Sequence, residues 1–335
     1  MNENKKEILR ILREQDGGYI SGQKLCEKLS VSRTAVWKYI SQLKEEGYII
    51  TSTSNKGYAL IDAPDVLSEW EITSRMQTKC FGRTVVYYEQ TDSTNIRIKQ
   101  LAEEGAKEGL LAVADCQNAG RGRRGRSWNS KPGSGIWMTL LLRPACEPAY
   151  ASSLTLVAAL AVTAALRETT NLDIKIKWPN DIVLNGKKIC GILTEMSSEV
   201  DYINYVAVGM GINVNTDAFP DGVKEVATSL FLETKKTYIR SRIIAAVMRH
   251  MEKYYEKFLE TKDMSGMQEE YNSHLINQNR SVTVLAGDID NQRVLYKGTA
   301  MGISKSGALF VQDEDGVMHE VVAGEVSVRG VYGYV

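Results

Sequence analysis

Gln117-Asn118-Ala119-Gly120-Arg121-Gly122-Arg123-Arg124-Gly125-Arg126-Ser127-Trp128 interleaves three glycines with four arginines and contains no carboxylate. Such a backbone can close over a ligand while bringing several positive charges to it, which suits a polyphosphate or an acyl-phosphate. Trp128, at the end of the run, offers a flat ring for a nucleobase. Arg-Gly tracts that bind nucleic acid are longer and sit in disordered sequence. This one lies between two apolar, strand-like runs, residues 110–115 and 136–142. Working outward, further strand-like runs at 85–89, 174–178 and 205–214 alternate with helical stretches at 152–168 and 240–259. That alternation predicts an α/β domain of roughly 210 residues with the Arg-Gly run as a loop on it.

Three other strings in this region carry chemistry. Asp92-Ser93-Thr94-Asn95 follows the 85–89 run. It either caps a helix starting near Ile96, the commoner use of such residues, or holds a polar head-group. Lys175-Ile176-Lys177-Trp178-Pro179-Asn180-Asp181 alternates until Pro179 and then turns, so Asp181 and Lys188 are expected on adjacent strands of one hairpin. Lys188, inside an apolar strand, needs a partner. A ligand carboxylate or phosphate and a structural ion pair with Asp181 are equally good answers. Val208-Gly209-Met210-Gly211-Ile212-Asn213-Val214 puts two glycines into a strand, the mark of a bulge or a close approach. This string is too loose for a nucleotide fingerprint and lacks the Walker-A Gly-Lys-Ser/Thr ending.

Upstream, helical spacing at 5–15, 21–29 and from 33 onward gives three short helices, the last carrying Val36, Ile40 and Leu43 on one stripe. Two strand-like runs, 48–51 and 57–60, then flank a polar tip. Between Lys28 and Lys44 there are four basic residues and no acidic one. Ser32, Arg33, Thr34, Lys38 and Gln42 could reach phosphates or base edges, with Lys56 near the tip of a wing. The alternative is a three-helix protein-interaction module whose basic face is merely solvated. The pattern is similar to the winged helix-turn-helix heads of bacterial repressors, in the strings SGQKLCEKLSVSRTAVWKYISQL and EEGYII. Downstream of about His274, short strands with turns at 286–288, 306–307 and 315–316 predict a small SH3-like β-barrel. The expected domains are therefore 1–64 (winged helix-turn-helix), 65–275 (mixed α/β) and 276–335 (SH3-like).

Composition narrows the classes. Lys plus Arg and Asp plus Glu are 41 each in 335 residues, so any affinity for nucleic acid comes from local clusters, not a global field. Five cysteines (Cys26, Cys80, Cys116, Cys146, Cys190) lack CxxC spacing, which argues against a disulfide framework or a zinc site. His250, His274 and His319 are far apart, and no metal-binding residue set is expected. The opening MNENKKEILR lacks the apolar core of a signal peptide. The apolar run 154–166 is too short to span a bilayer, so no membrane association and a cytoplasmic location are expected.

DSTN, QNAGRGRRGRSW, KWPNDIVLNGKKICGIL and GMGINV, taken in this order, resemble the biotin–protein ligase family, and the head matches its bifunctional ligase/repressor branch. GALFVQDEDG and AGEVSVRG fit that family's C-terminal domain, so the resemblance covers nearly the whole chain. It implies adenylation of biotin by ATP with Mg²⁺, then transfer of biotin to a lysine of biotin carboxyl carrier protein and of other biotin-dependent carboxylases. It implies biotin contacts at Ser93, Thr94, Asn95, Gln117, Arg121, Gly122, Arg123, Lys188 and Gly191, and nucleotide contacts at Arg123, Arg126, Trp128 and Asn213. Arg123 and Lys188 would neutralise developing charge, Asp181 would be the base for the acceptor lysine, and Mg²⁺ would be held mainly by the phosphates. An adenylate-bound homodimer would bind operator DNA. The rivals are a lipoate ligase of the same fold and a repressor that senses biotin without catalysis; a nucleic-acid enzyme is disfavoured by the scattered histidines.

Overall fold

The computed structural model describes residues 3–286, 293–323 and 326–330; Gly287 and Asp288 of the expected 286–288 turn, and Gly324 and Glu325 of AGEVSVRG, lie outside the described residues. The chain begins with α1 (Glu3–Glu14), α2 (Gly22–Leu29), α3 (Arg33–Glu45) and the antiparallel hairpin β1 (Ile49–Thr53) and β2 (Gly57–Asp62). Ser21 and Ser32 start α2 and α3 by accepting from Lys24 N and Ala35 N, each at 3.2 Å. Ile8, Leu12, Leu25, Val36, Ile40 and Leu43 bury one stripe from each helix in a shared core with Tyr48 and Ile50. Ile20 and Tyr58 exchange backbone bonds of 2.9 and 2.8 Å, closing the hairpin onto the turn before α2. This is the expected three helices and a wing.

A short helix not anticipated from the sequence, α4 (Glu69–Thr73), follows. Five residues show too little periodicity to announce a helix; Ser68, accepting from Glu71 N, and burial of Ile72 hold it. The central domain then runs β3 (Val85–Thr91), α5 (Thr94–Glu103), β4 (Leu111–Gln117), β5 (Gly135–Leu142), α6 (Ser153–Thr170), β6 (Lys175–Lys177), β7 (Asp181–Leu184), β8 (Lys187–Ser198), β9 (Ile203–Asn213), α7 (Leu230–Thr234), α8 (Arg240–Thr261) and α9 (Gln268–His274). Its sheet has seven strands in the order β3-β4-β5-β9-β8-β7-β6, with β3 and β4 parallel and the other pairs antiparallel.

The period of two divides that sheet between core and site. Ile136, Met138, Leu140, Val206, Val208, Met210 and Ile212 face the main core with α6 and α8. Trp137, Thr139, Gly209 and Gly211 alternate with them, so they face the opposite side, where Ile98 and Ala102 of α5 pack on Ala112, Leu141 and Ala207. Residues 148–170 are long and apolar enough to cross a membrane by length alone, beyond the 154–166 run. Burial decides their role: 72% of the most apolar window is inside the fold, and α6 is a core helix.

The C-terminal strands β10 (Ser281–Ala286), β11 (Arg293–Ile303), β12 (Leu309–Asp313), β13 (Met318–Val321) and β14 (Val326–Gly330) form a five-stranded antiparallel sheet ordered β13-β12-β11-β10-β14, in the place expected of the small β domain. Val282, Val284, Leu309 and Val311 join the same core as α6 and α8. Trp178 Nε1 donates to Gly307 O at 3.0 Å, so the turn at 306–307 braces the strand end that leads into Pro179 and Asp181.

Candidate active site

Helix α5 points its N-terminus at the site face of the sheet. Its first backbone donors are not satisfied as the sequence suggested: Ser93 makes no side-chain cap, and the helix begins at Thr94, two residues before Ile96. Gln117 Oε1, at the end of β4, accepts from both Thr94 N (2.8 Å) and Thr94 Oγ1 (3.1 Å). A tertiary contact has taken the cap, leaving the Ser93 hydroxyl on the cavity wall. Asn95 is 5% exposed and reaches across β9: Thr139 Oγ1 donates to its Oδ1 at 2.6 Å, and its Nδ2 donates to Glu195 Oε2 at 2.7 Å.

Gly209 is glycine for this reason. A Cβ there would lie 2.2 Å from Asn95 Oδ1. We expect Gly209→Ala to cost about 1–3 kcal/mol of stability by displacing Asn95. An unchanged denaturation midpoint would show that Asn95 has room to move. Gly191 and Gly211 are paired across β8 and β9, and a Cβ on either would come within 2.9 Å of the Trp128 ring. The two glycines make a flat shelf on which the indole lies.

The Arg-Gly loop is folded back on itself: Gly122 N donates to Arg126 O (2.7 Å) and Trp128 N to Gly120 O (2.9 Å). Arg124 takes the left-handed conformation (φ 57°) at the loop tip. Arg121, Arg124 and Arg126 are exposed, whereas Arg123 turns inward and donates to Asn180 Oδ1 at 2.8 Å. Burial lowers the Arg123 guanidinium from its ordinary value, the Asp181 charge works against that shift, and the group stays cationic. Asp115 anchors the far end of the loop, accepting from Gly133 N at 3.1 Å and from Arg240 Nη1 at 2.6 Å.

Asp181 and Lys188 do sit on adjacent strands, β7 and β8, and form an ion pair at 2.5 Å with side chains 16% and 22% exposed. Lys188 Nζ is also 5.2 Å from the Trp128 ring centroid. Of the two sequence readings, the structure shows the ion pair. Both side chains line the cavity, where a ligand anion would compete with Asp181 for Lys188.

That cavity, about 970 Å³, gathers Ser93, Thr94, Asn95, Gln117, Arg121, Gly122, Arg123, Arg126, Trp128, Asp181, Lys188, Gly191 and Asn213. The volume suits an extended acid joined to a nucleotide. Asn213 is 4% exposed and its Nδ2 donates to Thr228 O (3.1 Å), so its amide already holds the wall it lines. The sequence reading missed Lys177, Trp137 and the apolar wall of Phe219, Pro220, Val223, Val226 and Ala227. Lys177 stood in a quoted string but was not separable from Lys175. The apolar wall lies in a turn-rich stretch with no period to betray it. Among the described residues no group of three or more His, Cys, Asp or Glu could hold a metal ion.

On the head, Ser32, Arg33, Thr34, Lys38 and Lys56 are exposed and Gln42 is half-buried. Ser32 Oγ accepts the α3 cap bond, leaving its O–H to donate outward. Family models match in the same three parts: an HTH domain over residues 4–59, the biotin/lipoate A/B protein ligase family over 87–213, and the biotin protein ligase C terminal domain over 278–329. The bifunctional ligase/repressor BirA of Bacillus subtilis (strain 168) is 38% identical over 317 residues, 93% of this chain and 95% of that protein. The chain belongs to the bifunctional ligase/repressor family of biotin–protein ligases. The Escherichia coli (strain K12) bifunctional ligase/repressor BirA is 29% identical over 98% of this chain and 99% of that protein. The structure of biotin protein ligase from Aquifex aeolicus in complex with biotin and ATP is 30% identical, with a TM-score of 0.63 over 74% of this chain and 99% of that one. The ligase thus has the fold class read from its sequence: DNA-binding head, central α/β domain and small C-terminal β domain.

Proposed function

We propose that this ligase activates biotin with ATP in the cavity beneath the Arg-Gly loop and transfers it to a lysine of a biotin carboxyl carrier protein or another biotin-dependent carboxylase, while its adenylate-bound homodimer represses transcription through the heads at an operator. The carrying observation is the single cavity that unites the polar end of α5, Gln117, the Arg-Gly loop and Lys188. In the first step a biotin carboxylate oxygen attacks the α-phosphorus of ATP, the bond to the bridging oxygen breaks, and pyrophosphate leaves. Arg123, already turned inward, and Lys188 oppose the charge that gathers on phosphorus. Ser93, Thr94, Asn95, Gln117, Arg121, Gly122 and Gly191 hold the biotin, and Arg126, Trp128 and Asn213 hold the nucleotide.

In the second step the acceptor amine attacks the mixed-anhydride carbonyl, the carbon–oxygen bond to AMP breaks, and Asp181 takes the amine proton. Asp181→Asn should therefore slow transfer to an acceptor domain about 10- to 100-fold, with adenylation less affected; wild-type transfer would remove Asp181 from this role. Mg²⁺ would arrive mainly on the nucleotide phosphates, and the steps assigned to protein groups do not run through it. Domain limits of 1–64, 65–275 and 276–335 and a cytoplasmic location, where ATP and operator DNA are both at hand, complete the proposal.

The test is pyrophosphate release on mixing the chain with MgATP and biotin, with lipoic acid in parallel. Release that depends on biotin supports the reading. Release with lipoic acid alone moves the substrate, and tight biotin binding without release would leave a sensor that does not catalyse.

A further inference from the structure

Trp37 is 63% exposed on α3, a large indole left in water on the helix that carries the basic face. Arg33, Trp37, Ser41 and Lys44 follow one another at i, i+4, i+8 and i+11, forming a stripe beside the buried Val36, Ile40 and Leu43. None of the four is acidic. Their neighbours show where the stripe looks. Arg33 Nη2 donates to Gln23 Oε1 at the start of α2 (3.1 Å), and Lys44 Nζ donates to Ser52 Oγ of β1 (3.3 Å). Trp37 therefore stands midway along the open corner between α2, α3 and the wing, with a cation on either side.

We propose that Trp37 is a specificity-determining residue for operator DNA, its indole packing in the major groove against the methyl group of a thymine; this rests on the repressor reading above. The flanking cations suit phosphates on both sides of a groove, but phosphate contacts carry no sequence information. The indole has no strong acceptor for a base edge, and its broad apolar face is suited to the one apolar group that the major groove displays, the thymine C5-methyl. Burying the ring against that methyl removes apolar surface of both partners from water. A protein partner for this face would need an apolar surface that is also anionic at two points; duplex DNA already has that pattern of charge around an apolar group.

The experiment uses the full chain with biotin and MgATP. A preferred duplex is selected from a random-sequence library for the wild type, and each thymine in it is replaced in turn by deoxyuridine, which lacks only the methyl. Binding is read by fluorescence anisotropy for wild type, Trp37→Ala and Trp37→Leu. At one thymine per half-site, loss of the methyl should weaken wild-type binding about three- to tenfold. It should leave Trp37→Ala unaffected and have an intermediate effect on Trp37→Leu. All three proteins should bind random duplex with the same salt dependence, because the cations are intact. Biotin-dependent pyrophosphate release should match wild type, showing that the variants fold. If the alanine variant selects the same duplex with wild-type affinity, or stays equally sensitive to every methyl, the proposal is overturned and the indole belongs to a protein contact. If the wild type selects no sequence at all, the repressor reading fails with it.

Discussion

Lys188→Ala is expected to lower biotin-dependent pyrophosphate release about a hundred- to a thousandfold, the usual cost of removing one preorganised group that meets developing charge. The expectation rests on position. Lys188 is only 22% exposed, its ammonium lies 2.5 Å from Asp181 and 5.2 Å from the Trp128 ring, and it opens onto the cavity that holds the Arg-Gly loop. Its partner in the structure is the Asp181 carboxylate, and a bound carboxylate or α-phosphate would take over that bond. Lys188→Arg should not rescue the rate: a planar guanidinium is larger than an ammonium, and the site is already crowded by Trp128 on its glycine shelf. Single-turnover measurements with biotin and ATP in excess separate this from a folding defect. A variant that releases pyrophosphate at the wild-type rate would confine Lys188 to a structural ion pair.

Glu71→Gln should destabilise the chain by about 3 kcal/mol at neutral pH, at the lower end of what removing one member of a buried ion pair costs. Glu71, on α4, is fully buried between the head and the central domain. Its carboxylate accepts from Arg13 of α1 at 2.7 and 2.9 Å, from Arg75 at 2.9 Å, from Ser241 of α8 at 3.1 Å, and from the Tyr48 hydroxyl. Gln would leave two guanidiniums without their counter-charge, although each side chain keeps 14% exposure, which tempers the loss. Burial alone would raise the Glu71 carboxyl, but Arg13, Arg75 and the Tyr48 hydroxyl outweigh it and hold the group below the ordinary carboxylate range. A folded-state value lower than the unfolded one means that the stabilisation is present above the unfolded value and is lost as pH falls through the folded one. The gap between wild type and Glu71→Gln in urea denaturation should therefore persist from neutral pH down to about pH 4 and close only below it. A gap that stayed just as large well below about pH 4 would show that the carboxylate's charge is not what stabilises the junction.

Much of the fold was legible because it is written in local patterns. The stripe Val36, Ile40 and Leu43 announced α3, and it is in place. The strand-like runs 136–142 and 205–214 announced β5 and β9, and Asp181 and Lys188 fell on one hairpin as the Pro-Asn-Asp turn suggested. Less was legible where an answer depended on a residue far away in sequence. Capping was the commoner reading of the run Asp92-Ser93-Thr94-Asn95, but Gln117, 23 positions beyond Thr94, takes the first donors of α5. Ser32 was read as a DNA contact, and its oxygen is first of all a cap. Asp65, at the expected start of the central domain, is pinned by Arg240 at 2.8 Å, a contact across 175 positions that no local pattern signals.

By itself, the sequence determined the order of the three parts, the charge-dense loop, the hairpin chemistry and the family, because periodicity, turn residues and glycine spacing act over a few neighbours. The tertiary structure alone decided which arginine turns inward, that Gly191 and Gly211 form the shelf for Trp128, and that Glu71 joins the head to the ligase. Those outcomes depend on which side chains from distant segments share a volume closed to water. There, burial raises the cost of an unpaired group and selects the partner.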